Sequence, residues 1–139
     1  MIVALDTNIV IYLVEANPIW TPIATARLRK LRAAGDEIAF CDAGRLECLI
    51  KPFSSGNATD IATYQTFFNS SQVTMLPVES ATWERAAQLG ATYGFKPLDC
   101  VHLAAAIEKG CGLFLTNDAP LKRCSDIFVE VLLLTNKSP

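Results

Sequence analysis

The sequence predicts a three-layer α/β fold, with a central, mostly parallel sheet of about five strands covered by helices on both faces. Three observations carry this expectation. Five short apolar runs (Ile2–Leu5, Glu37–Cys41, Val73–Leu76, 113–115 and 128–134) have the length and composition of strands. Segments with apolar residues at helical spacing separate them, and strands alternating with amphipathic helices imply parallel pairing. Several runs also show no polar alternation, as strands buried on both faces require.

Taken in order, Ile2–Leu5 ends at Asp6, and a short helix is expected near 8–14. After Pro18 and Pro22, Ala24, Leu28 and Leu31 fall at i, i+4 and i+7 of a second helix, whose flank carries Arg27, Arg29, Lys30 and Arg32. Gly35 and Asp36 end it, and Glu37–Cys41 is the second strand. Asp42 is positioned to cap a helix running to about Ile50, before a loop marked by Pro52, Gly56 and Asn57. A helix over 59–68 precedes the strand Val73–Leu76. The next helix presents Trp83, Ala86, Ala87 and Gly90 on one face and ends at the turn 94–97. A helix over 99–109 repeats the apolar spacing with Cys100, Leu103, Ala104 and Ile107, and Gly110 and Gly112 bracket its end. The strand 113–115 runs into Thr116, Asn117 and Asp118, and 128–134 is the last strand.

A length of 139 residues, 51% of them hydrophobic, suits one domain over 1–139 with one core. Twelve basic against fourteen acidic side chains leave a net charge of -2, so no global basic field advertises nucleic acid. Five cysteines, an odd number with no CxxC pair, argue against a disulfide framework and a zinc site; they read as small buried hydrophobes in a reducing cytoplasm. The apolar stretch 1–14 contains Asp6 and Asn8 and reads as a core strand, not a leader, and no run is long enough for a membrane span. The expected location is cytoplasmic.

Parallel sheets of this kind place their sites at the carboxyl ends of strands, where Asp6 and Asp118 both stand. Glu47 shares a helical face with Ala43, Leu46 and Ile50, an apolar stripe with no basic residue. A carboxylate there needs a partner, and a metal ion is one candidate. Asp99 opens a helix after Pro97. Each acid alone has a structural explanation as a cap or turn residue, but the four together suggest one pocket. Two such charges at ~4 Å repel by about 4 kcal/mol at an effective dielectric of 20, so the arrangement calls for cations. Oxygen donors without a Cys or His cluster select hard ions, Mg2+ or Mn2+, which suit phosphate chemistry.

Four segments, LDTN (residues 5–8), Glu47 in its helix, PLDCVHLAAA (97–106) and FLTND (114–118), together resemble the PIN-domain nucleases. In length and order the chain is most similar to the VapC-type ribonuclease toxins of toxin–antitoxin pairs. The resemblance spans nearly the whole chain and implies a PIN-like sandwich. It further implies that Asp6, Glu47, Asp99 and Asp118 bind Mg2+, with Mn2+ substituting, and activate water to cleave RNA. Thr7, Asn8, Thr116 and Asn117 match flanking polar positions that hold carboxylates in place. Lys122 and Arg123, just beyond Asp118, are candidate contacts to an RNA phosphate. His102, three residues after Asp99, stands where another acid would be. A homodimer and a cognate antitoxin are the implied partners. The alternatives are a PIN-fold nuclease acting in RNA processing or on DNA outside a toxin system, and a catalytically idle PIN module that only binds. A dehalogenase-type phosphatase wants an acid at position 8, where the chain has Asn8, and a receiver domain wants an acid after the third strand, where it has none.

Overall fold

The computed structural model describes residues 1–134. Five strands, β1 (Ile2–Leu5), β2 (Glu37–Cys41), β3 (Val73–Leu76), β4 (Leu113–Thr116) and β5 (Val129–Val131), form one parallel sheet in the order β3-β2-β1-β4-β5. Six helices cover it: α1 (Thr7–Val14), α2 (Trp20–Ala33), α3 (Gly44–Ser55), α4 (Ala58–Phe68), α5 (Ser80–Tyr93) and α6 (Pro97–Glu108). The chain moves outward from β1 to β2 and β3, then returns to the other side of β1 as β4. That reversal opens a crevice at the carboxyl ends of β1 and β4, where sheets of this type bind ligands.

Side chains alternate along the strands and build two cores. On one face Val3, Leu5, Ile38, Phe40 and Leu115 pack against α1, α2, α3 and α4. On the other, Ala4, Ala39 and Phe114 meet α5 and α6. The small Ala4 and Ala39 let α6 lie close, and residues Cys100 through Ala106 of that helix are all buried. All five cysteines are free and buried.

Several expectations need correction. Asp42 does not cap α3: the N-cap is Ala43, without a side-chain bond, and the Asp42 carboxylate instead accepts from Arg45 Nε at 2.5 Å. The helix runs through Pro52 to Ser55 and stops at Gly56, whose φ of 68° suits a residue with no Cβ. Its buried residues are Gly44, Cys48 and Pro52, while Leu46 and Ile50 are 59% and 60% exposed. The expected Ala43–Leu46–Glu47–Ile50 stripe is therefore not a core face. The cause is close packing at Gly44, where a Cβ would lie 2.0 Å from Phe40 Cζ. The helix docks through its smallest side chain and leaves larger ones outside. On α5 the buried residues are Thr82, Ala86 and Leu89, and Trp83 is exposed. The last strand is only Val129–Val131, with Phe128 and Leu133 exposed.

Candidate functional site

Asp6 follows β1 directly and caps α1. Its Oδ1 accepts from the Thr7 backbone N–H at 2.8 Å, and its Oδ2 accepts from Thr116 Oγ1 at 2.7 Å and from Asn8 Nδ2 at 3.4 Å. A backbone bond from Asp6 N to the carbonyl of Leu115 ties this corner to β4. Asp6 is 4% exposed, and burial raises its pKa against the opposing influence of His102, Thr116 and Thr7.

Asp118 lies two residues past the end of β4 and precedes a 3-10 turn at Ala119–Arg123. Its backbone N–H donates to Thr116 Oγ1 at 3.0 Å, so the fully buried Thr116 hydroxyl orders both acids. Asn8 links the same two loops, accepting from Asn117 N at 3.1 Å, and Asn117 in turn donates to Tyr12 Oη at 2.7 Å. Of the four flanking polar residues, Thr7, Asn8 and Thr116 thus touch carboxylates directly, while Asn117 binds Asn8 and Tyr12.

Asp99 sits in the first turn of α6, behind Pro97 at the helix start. Its pKa is pushed up to about 6, first by burial and then by the charges of Asp6, Asp118 and Glu47. Asp99 thus feels the charge of each of the other three acids. Among the described residues, no hydrogen bond or ion pair engages the side-chain carboxylate of Asp99 or of Asp118. These two, with the remaining lone pairs of Asp6 and the second oxygen of Glu47, are the open oxygen donors of the crevice.

Glu47 finds a partner that its own helix does not supply. His102 on α6 places Nε2 2.5 Å from Glu47 Oε1, and Thr7 Oγ1 donates to the same oxygen at 2.7 Å. Burial would raise the Glu47 pKa, but the bonds from His102 and Thr7 outweigh it and the pKa falls below the ordinary value. The local sequence could not reveal this pair, because its members come from helices 55 positions apart.

The donor chemistry of the pocket fits a hard cation: four carboxylates, no thiolate, and two acids with no protein partner. The side chains are not, however, drawn into a finished cage. No group of three His, Cys, Asp or Glu residues among those described is arranged to grip an ion.

The basic candidates are partly committed elsewhere. Arg123 donates to the Tyr93 carbonyl at 3.0 Å and stacks over Phe95 at 5.0 Å, whereas Lys122 is exposed. On the α2 flank, Arg27 makes a two-bond contact with Glu130 at 2.5 and 2.7 Å, and Arg32 reaches the Gln72 carbonyl.

The profile of the PIN domain matches residues 3–126. No curated protein sequence matches the chain. Among solved structures, VapBC2 from Rickettsia felis, crystallised on a DNA fragment from its promoter, superimposes with a TM-score of 0.72 at 18% identity, over 96% of this chain and 100% of that one. The Mycobacterium tuberculosis toxin VapC20, which cleaves the sarcin-ricin loop, gives 0.75 at 16% identity over 94% and 99%. FitAcB from Neisseria gonorrhoeae gives 0.63 at 17% identity over 91% and 95%.

Proposed function

Because this chain belongs to the PIN-domain family, we propose that it is a metal-dependent endoribonuclease and the toxin of a toxin–antitoxin pair. The observation that carries the reading is the meeting of Asp6, after β1, and Asp118, after β4, at the shared Thr116 hydroxyl, with Asp99 in the first turn of α6 and raised in pKa by burial and by the neighbouring acids. Four acids held in one crevice at a sheet's switch point suit a cation-assisted attack on a phosphodiester.

In this reading Asp6, Asp99 and Asp118 supply the principal oxygen donors and Glu47 flanks them. When bound, Mg2+ or Mn2+ neutralises this charge, lowers the pKa of water and stabilises the leaving oxygen. The chain's own contribution is orientation. Thr116 and Thr7 fix the rotamers of Asp6 and Glu47, and Asn8 ties the two strand-end loops together, which keeps the donors in place before substrate arrives. Lys122, exposed beyond Asp118, is the proposed contact to a backbone phosphate. The domain over 1–139 acts as one unit.

The toxin assignment draws on the neighbouring folds, which include VapBC2 and a toxin that cleaves the sarcin-ricin loop. An antitoxin and a second copy of the chain are the proposed protein partners. Leu46, Ile50 and Phe53, exposed along α3 beside Glu47, supply apolar surface for such contacts. No helix among the described residues is long and apolar enough to cross a membrane; the proposed site of action is the cytoplasm.

The test is cleavage of structured RNA by the purified chain. Cleavage should require Mg2+ or Mn2+, stop in EDTA, and be lost in Asp6→Asn and Asp118→Asn variants that retain their fold. Undiminished cleavage in EDTA would reject the proposal. Cleavage of duplex DNA with RNA left intact would move the protein to the second reading, a nuclease outside toxin systems.

A further inference from the structure

His102 is the only histidine of the chain and is 1% exposed. Its ring stacks on Phe40 at 5.8 Å, and the absence of a Cβ at Gly44 is what leaves room for the Phe40 ring. One edge of the imidazole faces Glu47 Oε1 at 2.5 Å and Thr7 Oγ1 at 3.0 Å. On the other edge, Nδ1 is buried and has no hydrogen-bond partner among the described residues.

These contacts discriminate between the two ways of placing the ring proton. With the proton on Nδ1, a buried N–H would lack any acceptor, and the Nε2 lone pair would point at a carboxylate oxygen. Both are unfavourable. With the proton on Nε2, the ring donates to Glu47 Oε1, and Nδ1 keeps a lone pair with no buried N–H left to satisfy. The Thr7 hydroxyl then gives its own proton to the same oxygen and completes a triangle of three side chains from α1, α3 and α6.

From this geometry we infer that His102 is a positioning residue: donating from Nε2, it locks the Glu47 carboxylate by Oε1 and leaves Oε2 as that residue's one oxygen open to a cation or to the attacking water. The consequence for catalysis rests on the nuclease reading above, whereas the hydrogen bond itself does not. An α3 carboxylate at an otherwise solvent-facing helix position is thereby aimed inward. Outer partners that fix a carboxylate in this way commonly change metal affinity or activity by about 10–100-fold when removed.

The experiment combines nitrogen NMR of the single imidazole with two substitutions. The wild-type spectrum should show one tautomer, protonated at Nε2. His102→Leu should remain folded by circular dichroism, yet lose about 10–100-fold in kcat and in Mn2+ affinity. Its KM for RNA should stay within about threefold, since the residue does not touch substrate. His102→Gln, which keeps an N–H donor near Nε2, should recover most of the loss. A tautomer mixture or a proton on Nδ1 overturns the inference. So does a folded His102→Leu protein with unchanged kcat and Mn2+ affinity, or a His102→Gln protein as impaired as His102→Leu. Should His102→Leu fail to fold, His102→Gln and the spectrum decide. If the wild type neither cleaves RNA nor binds Mn2+, the nuclease reading fails, and the spectrum judges the hydrogen bond separately.

Discussion

Replacing Asp99 by Asn should stabilise the metal-free protein. In the folded chain the Asp99 pKa is raised from 3.8 to about 6 by burial and by Asp6, Asp118 and Glu47. An acid with a folded pKa above its unfolded value binds protons more tightly in the native state. Stability from this group is therefore greatest at low pH and falls as pH rises between the unfolded and folded values, here from about 4 to about 6. Above that window the ionised group weighs against the fold by at most about 3 kcal/mol, at 1.36 kcal/mol per unit. Asp99 is only half-buried, and solvent screening brings the usable figure to about 1–2 kcal/mol. For a chain of this size that corresponds to about 3–6 °C in Tm. Thermal unfolding in EDTA at pH 7.5 should thus show Asp99→Asn melting higher than wild type. The gap should shrink as the pH is lowered through 6 toward 4. With saturating Mn2+ the order should reverse, because only the wild type gains full stabilisation from the ion. A variant that melts lower than wild type in EDTA, or a gap independent of pH, would mean that the Asp99 charge does not weigh against the fold.

Other perturbations probe the scaffold of the site. Thr116→Val deletes the hydroxyl that donates to Asp6 and accepts from Asp118 N; leaving those buried groups unpaired should cost about 1–3 kcal/mol in urea unfolding, and wild-type stability would show that the hydroxyl contributes nothing. Gly44→Ala places a methyl 2.0 Å from the Phe40 ring; overpacking should destabilise by about 1–3 kcal/mol or more, and an unchanged Tm would mean that α3 docks less closely than described.

Much of the fold was legible because it depends on local signals. The strands β1, β2 and β3 lie at the predicted residues, and the positions of Asp6 and Asp118 after β1 and β4 follow from where the apolar runs stop. The failures have a common origin. Helical spacing shows that a stripe exists but not which side of the helix meets the core. On α3 the choice was made by a glycine fitting against Phe40, and on α5 by Thr82, Ala86 and Leu89 rather than Trp83. The Pro52 signal for a loop was overridden because the proline packs into the last turn of α3. Residues 135–139 lie outside the described chain, beyond the range predicted for the last strand. At the site, the places of Asp6, Asp99 and Asp118 in the fold followed from the sequence, but the partner of Glu47 did not, since His102 reaches it across the tertiary structure.

Calorimetric titration of the metal-free chain with Mn2+ decides whether Asp6, Asp99 and Asp118, with Glu47 beside them, form a pocket for a hard cation. Saturable binding by the wild type is expected, weakened at least about tenfold in Asp118→Asn. Absence of binding by the folded wild type, or equal affinity in the variant, would contradict it.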